Sequence, residues 1–382
     1  MRVLMSCRPL YGHYAPMVAL AKALLEVGHQ VRFATGEPLL ATIRADGFET
    51  AKAGLSAQEI TDLRAADPVL AGAAATGMAI AFFSRSFAGF EVPPRVEDLT
   101  RIVHDWSPDL LVHEMSEFAG PLVAALEGLP AVNHSYGPLV EAHVMEAAGA
   151  TAAEHWLDRG LPAPDRGGMY GHLYLDIAPP SLQFPYISTV PSVQPLRPVP
   201  LPGGNSQASP WLSQLGPQPV VAVTFGTVFN NRLDLYRVVI DALGDTDLQV
   251  VIASGRSEAA KGLGSLPSNV QLHEWVPWAE LIARSSVVVT HGGAGSSLGP
   301  LSAGIPLVMI PLAADHFKNT VLVSATGAAV ALDAGALTPS QLRDAVSTAL
   351  GESARTAAQR IAEEIGRMPS PEEVVPILAN LR

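Results

Sequence analysis

The sequence predicts an α/β protein of two domains, each a parallel sheet wound with helices. Three observations carry that expectation. Short, mostly apolar strand-like runs alternate with helix-period segments, a pattern that buries a parallel sheet on both faces. A stretch crowded with proline and glycine interrupts the alternation near the middle, and the alternation then restarts. The length of 382 residues exceeds one average domain and suits two.

Residues 2–6 read as a strand that ends at a Pro/Gly loop. Met17, Leu20, Ala21 and Leu24 then recur at i, i+3, i+4 and i+7, one face of a helix. Gly28 and His29 stop that helix, and QVRFA at 30–34 follows as a second strand. Such a βαβ unit requires parallel strands and a right-handed crossover. The pattern repeats with a strand at 109–112, a helix at 118–127 and a strand at 130–133. Residues 65–90, rich in Ala, Gly, Met and Phe, fit no strand pattern and read as an apolar helix or lid. Residues 188–219 lack periodicity and read as an interdomain region, with the linker at 201–218 between domains at 1–200 and 219–370. In the second domain, strands are expected at 220–225, 248–253, 269–273, 286–290, 307–310 and 328–332. Helices are expected at 233–243 and from about 295 and 315. The tail at 371–382 reads as a closing amphipathic helix, with Pro371 in its first turn and Val374, Ile377, Leu378 and Leu381 on one face.

Charged residues make up only 16% of the chain and hydrophobic ones 48%. The usual charged share is roughly a quarter, so most of the chain is built to be buried and global disorder is excluded. The net charge, 24 − 36 = −12, is the opposite of a phosphate-neutralising surface and excludes nucleic acid and anionic membranes as expected partners. The one cysteine, Cys7, can form neither an internal disulfide nor a C-x-x-C site, which fits a reducing cytoplasm. The opening MRVLMSCRPL lacks a long apolar core and reads as mature sequence. Apolar stretches such as 287–289 and 305–314 fall short of the roughly 20 residues that span a bilayer.

Candidate chemistry lies at strand ends, where open α/β sheets bind ligands. The first loop holds Gly12 and His13 just ahead of Pro16, and it lacks a G-x-G-x-x-G dinucleotide fingerprint. The strand at 286–290 runs into His291, Gly292, Gly293, Ala294, Gly295, Ser296 and Ser297 at the start of a helix. Glycines there let the backbone approach a ligand, and free N–H groups at a helix N-terminus favour a phosphate. Gly226 and Thr227, at another strand end, can add amides and a hydroxyl to the same anion. Trp275 offers a flat face for a base. Asp315 closes a further strand end as either a sugar-hydroxyl acceptor or a helix N-cap. The D-x-D at 245–247 is a metal-nucleotide motif elsewhere, but it precedes a strand at the amino edge of its sheet and reads as a turn, so no metal site is expected.

These residues resemble the GT-B glycosyltransferases of the superfamily that holds plant UDP-dependent enzymes and bacterial natural-product (antibiotic) glycosyltransferases. The resemblance runs through G-H-x-x-P at 12–16, W-V-P at 275–277, H-G-G-A-G-S at 291–296 and A-G-I-P…P-L-A-A-D at 303–315. It implies two Rossmann-like domains facing a central cleft, with the closing helix packed back on the N-terminal one. It implies a nucleotide sugar in the C-terminal domain, a small apolar acceptor in the N-terminal domain, and inverting transfer without a metal or cofactor. By the same resemblance His13 is the general base, Trp275 stacks on the nucleobase and the Val276 backbone reads its edge. His291, Thr227 and the turn Gly293, Ala294, Gly295, Ser296 hold the diphosphate with Gly226, and Asp315 binds the sugar. Apolar, aromatic and poorly patterned segments at 78–90 and 140–174 are the candidates for acceptor recognition, with Tyr11, Met78, Phe82, Phe83 and Phe87 as named contacts. A homodimer is left open.

Departures sharpen the expectation. Glu114 stands where the family usually has an aspartate that orients the histidine, and His316 replaces the glutamine that follows the sugar-binding acid. Gly299 replaces a ribose-gripping glutamate, which makes a dTDP-sugar the expected donor over a UDP-sugar, the alternative within the fold. Two alternatives of another class are an NAD(P)-binding oxidoreductase, on Gly293, Gly295, Gly299 and Asp315, and a non-catalytic sugar-nucleotide or aglycone binder.

Overall fold

The computed structural model describes residues 1–72, 78–200, 210–228, 230–255, 258 and 262–381. The chain divides into two compact units. The first comprises Met1–Ile177, Phe184–Leu196 and Pro369–Arg382, and the second Ala178–Gln183 and Arg197–Met368.

In the first unit the strands are β1 (Arg2–Ser6), β2 (Gln30–Thr35), β3 (Glu49–Lys52), β4 (Leu110–Glu114), β5 (Ala131–His134), β6 (Leu173–Asp176) and β7 (Val193–Pro195). They form one sheet in the order β3-β2-β1-β4-β5-β6-β7, with every pair parallel. The central strands are apolar along their whole length because helices cover both faces: Val3, Leu4, Met5, Leu111 and Val112 are fully buried. The order reverses between β1 and β4, so their carboxyl ends splay apart and leave a crevice.

Strands β3, β6 and β7 have no counterpart in the sequence reading. β3 is a polar edge strand, ETAK, without an apolar pattern. β6 is buried throughout, and within the expected acceptor segment at 140–174 the helix Ala142–Leu157 buries one face, Val144, Met145, Ala148, Ala152 and Trp156. β7 lies inside the proline-rich stretch read as linker. As an edge strand it tolerates Pro195, which has no N–H to give a further neighbour. The chain therefore passes between units before residue 201. The Ser181 N–H already bonds Glu364 in the second unit, and the linker positions 201–209 lie outside the described residues.

The second unit has β8 (Val220–Thr224), β9 (Gln249–Ala253), β10 (Val270–His273), β11 (Ser285–Thr290), β12 (Leu307–Met309) and β13 (Ala329–Ala331), in the order β10-β9-β8-β11-β12-β13, again all parallel. Val221, Val223, Val287, Val289, Val308 and Ile310 fill its core with Tyr236 and Leu342. Its switch point lies between β8 and β11.

The closing helix Pro371–Ala379 starts in a capping box in which Ser370 and Glu373 satisfy each other's backbone N–H groups. It belongs to the first unit and buries Val374, Val375 and Leu378 there, against the helix Val18–Glu26. Among the described residues no helix is long and apolar enough to cross a membrane.

Candidate active site

At the switch point of the first unit, β1 leads into a one-turn helix Tyr11–Tyr14 that carries His13. Pro16 then opens a 3-10 turn, Ala15–Met17, before the helix Val18–Glu26. β4 ends on Glu114, and the two meet: His13 Nδ1 lies 2.9 Å from Glu114 Oε1. Glu114 is fully buried. Burial alone would raise its carboxyl, but His13 and Arg8 beside it and the Ser116 N–H bring it down to about 2, so it is a carboxylate at neutral pH. The carboxylate oxygen next to Nδ1 assigns the ring proton to that nitrogen and leaves Nε2 as the basic atom. Among the described residues Nε2 has no hydrogen-bond partner.

Three supports escaped the sequence reading. The Ser116 N–H donates to Glu114 Oε2 at 2.6 Å, and its hydroxyl lies 2.9 Å from both carboxylate oxygens and 3.3 Å from His13 Nδ1. The Arg8 main-chain N–H reaches Glu114 Oε1 at 3.4 Å. The Tyr136 ring packs on His13 with centroids 4.6 Å apart. A serine two residues after a strand-terminal acid is the local signal for the first, since such residues close a side-chain to backbone turn. The other two are long-range and leave no pattern.

Of the acceptor candidates, Tyr11 is half-buried, edge-on to Tyr14 at 6.3 Å. Met78 opens the short helix Met78–Ala81. Phe82, Phe83 and Phe87 lie on a π-helix, Phe82–Phe90, where a lid or apolar helix was expected. Phe82 and Phe87 are half-buried, whereas Phe83 turns into the core. Residues 73–77 of the expected lid lie outside the described residues.

In the second unit the ends of β8, β11 and β12, three adjacent strands, carry Gly226, His291 and the loop to Asp315. Gly226 has φ +78°, and a Cβ there would stand 2.7 Å from His291 Cε1. A Cβ on Gly293 would stand 2.5 Å from His291 Nε2, so both glycines make room for the ring. Asn230 pins the β8 loop through the carbonyls of Gly226, Ser254 and Gly255. His291 is buried, which lowers its pKa to about 3 and keeps the ring neutral. Gly293 caps the helix Ala294–Ser302 without a side-chain bond, which leaves its first-turn N–H groups, those of Ala294, Gly295 and Ser296, for an anion. Ser296 Oγ bonds Thr290 Oγ1 at 2.7 Å, and Thr227 is exposed.

Asp315 occupies the N-cap position of the helix His316–Ala325 but makes no capping bond. Its Oδ2 instead accepts from Asn319 Nδ2 at 2.8 Å, and that same amide holds the Gly292 carbonyl at 2.9 Å. Ala314, just before it, has φ +52°, a conformation a residue with a Cβ adopts at a cost. His316 is buried. Its Nδ1 accepts the Ala313 N–H at 3.1 Å and its ring stands edge-on to His291 at 4.5 Å. Trp275 is 51% exposed, and Val276 follows it at the approach to the helix Trp278–Arg284. Gly299 is buried, and a Cβ there would meet Ile282 Cδ1 at 3.3 Å, so a bulkier residue must displace that neighbour. The 245–247 turn is pinned by Asn269, whose side chain bonds the Asp245 N–H and the Leu243 and Leu248 carbonyls at the amino end of β9. Among the described residues no three His, Cys, Asp or Glu gather in a metal-binding cluster. After Asp315, only β13 remains among the described strands, too little for a dinucleotide domain to begin there.

Residues 22–226 and 237–381 match the N-terminal and C-terminal domains of the Erythromycin biosynthesis protein CIII-like family. The chain is 31% identical to the L-demethylnoviosyl transferase of Streptomyces niveus, over 99% of this chain and 98% of that protein. Its fold is similar to the crystal structure of the glycosyltransferase SnogD from Streptomyces nogalater, with a TM-score of 0.80 and 28% identity over 100% and 99% of the two chains. It is also similar to the spinosyn rhamnosyltransferase SpnG complexed with thymidine diphosphate, with a TM-score of 0.82 and 25% identity over 100% of both chains. With parallel sheets in both units and matches that run the length of the chain, this protein belongs to the Erythromycin biosynthesis protein CIII-like family and is a glycosyltransferase of the GT-B fold.

Proposed function

We propose that the protein moves a deoxysugar, with inversion and without a metal, from a dTDP-sugar to a hydroxyl of an apolar polyketide-type aglycone in the cytoplasm. The observation that carries this reading is the 2.9 Å pair of His13 and Glu114, with Nε2 as the open basic atom. His13 Nε2 takes the proton of the acceptor hydroxyl as its oxygen attacks the anomeric carbon, and the nucleoside diphosphate leaves from the opposite face. Glu114 keeps the proton on Nδ1 and stabilises the imidazolium that forms. The N-terminus of the helix Ala294–Ser302 takes up charge that grows on the departing phosphate, and Asp315 accepts from sugar hydroxyls.

The choice of dTDP rests on Gly299, which offers no acceptor to a ribose 2′-hydroxyl, and is supported by the thymidine diphosphate complex of SpnG. An unpaired buried hydroxyl costs about 1–3 kcal/mol, roughly 5- to 150-fold in affinity. The test is turnover of a panel of dTDP- and UDP-sugars with apolar polyketide acceptors, with and without EDTA, and the product anomer read by NMR. The reading expects dTDP-sugars to be used, EDTA to be harmless and the anomeric configuration to invert. A retained configuration, loss of activity in EDTA that Mg²⁺ restores, or tighter UDP binding each removes the corresponding part.

A further inference from the structure

The segment Phe82–Phe90 is a π-helix, a rare form that concentrates at functional sites. Gly89 breaks its regularity, and a Cβ there would stand 2.9 Å from the Ser84 carbonyl oxygen. His155 Nε2 donates to the carbonyls of Ala88 and Gly89 at 3.1 and 3.2 Å. Directly after the π-helix comes Glu91, 5% exposed. Its carboxylate receives Arg8 through Nε and Nη2 at 2.9–3.0 Å, Arg64 Nη2 at 3.0 Å and the Ser86 hydroxyl. Both guanidiniums lie on aromatic faces: Arg8 Cζ is 3.6 Å from the centre of Phe87, and Arg64 Cζ is 4.9 Å from that of Phe82. Arg8 also gives its main-chain N–H to Glu114, and a small cavity lined by Arg8, Phe87, Glu91, Ser116 and Phe118 adjoins the Glu114–Ser116 turn.

We propose that Glu91 is a positioning residue that, through Arg8 and Arg64, sets the Phe82 and Phe87 rings as the acceptor-facing wall relative to His13. The proposal rests on the reading of this unit as the acceptor side of a transferase. The physical case is the convergence of three separate chain segments on one buried carboxylate. The loop after β1 that leads to His13, the helix Ala57–Ala66 that carries Arg64 and the π-helix share no backbone hydrogen-bond ladder, so side chains hold their spacing. Without Glu91 the buried Arg8 and the partly exposed Arg64 would repel, and the aromatic faces beneath them would lose their partners. Small errors of placement in a near-attack geometry are costly, which gives such a clamp its value.

The test compares Glu91→Gln, Arg64→Met and Arg64→Lys with the wild type, using the apolar polyketide-type acceptor that the wild type turns over. The measurements are acceptor KM, donor KM and the thermal midpoint. The proposal expects acceptor KM to rise about ten-fold or more in Glu91→Gln and Arg64→Met, with donor KM within about two-fold of wild type. Arg64→Lys, which keeps a cation over the rings, should recover part of the loss. Arg64 is partly exposed, so if Glu91→Gln fails to fold the Arg64 pair decides. Acceptor KM within about two-fold of wild type in the folded variants overturns the clamp while leaving the transferase reading intact. Absence of transfer by the wild type with every donor and acceptor removes that reading, and the clamp with it.

Discussion

Glu114 and His13 stand 101 residues apart in the chain, yet the glutamate's Oε1 lies 2.9 Å from the ring's Nδ1. The parallel pairing of β1 with β4 brings them together, since Ser6 pairs with His113 and both loops leave the same edge of the sheet. The longer acid fits because Ser116 and the Arg8 backbone hold its two oxygens.

If His13 takes the acceptor proton, His13→Ala should lower kcat by about 10²–10⁴. Nucleotide affinity should be unchanged, because the proposed diphosphate contacts lie in the second unit. Single-turnover kinetics and calorimetry with dTDP check the two halves, and wild-type turnover in this variant would overturn the assignment.

Glu114→Asp restores the residue type common in the resembled family but should not be neutral here. One methylene less pulls the carboxylate back from a bond that is now 2.9 Å long, and Ser116 cannot follow, because its own N–H is tied to the same group. A fall in kcat of about ten- to a hundred-fold is expected, with a smaller fall in Ser116→Ala. Equal activity of Glu114→Asp and wild type would show that the length of the acid does not matter.

The buried Glu114 carboxyl, at about 2 in the folded chain against an ordinary 4.5, binds its proton less readily folded than unfolded. Its contribution to stability is therefore complete above about pH 4.5 and is lost as pH falls towards 2. Urea titrations of wild type and Glu114→Gln should show a stability difference that shrinks as pH falls from about 4.5 towards 2. A difference independent of pH down to 3 contradicts the ionised, paired state.

Gly226→Ala puts a methyl group 2.7 Å from the His291 ring at a backbone angle of +78°. The strain is on the order of 1–3 kcal/mol, and its relief displaces the histidine. Calorimetry should find dTDP bound about ten-fold more weakly or worse by a protein that remains folded. Unchanged affinity would remove His291 from the diphosphate site.

The fold class, the central strands and their glycine-rich ends were legible in the residue pattern alone, because parallel strands buried on both faces are written as continuous apolar runs and the loops at their ends as glycine-rich breaks. That pattern did not reveal β3 and β7, which are edge strands with polar or proline-containing sequences, or β6, whose four residues LYLD hold only three apolar positions before Asp176. Nor did it separate Phe83, which packs into the core, from Phe82 and Phe87 of the same helix, because a π-helix does not keep the 3.6-residue period from which a buried face is read. His13 and Glu114 were legible as single residues at strand ends. Their pairing, its support by Ser116 and Arg8, and the burial of His316 against His291 come from the folded chain, because those contacts join segments far apart in the chain and local pattern carries no record of distance between them.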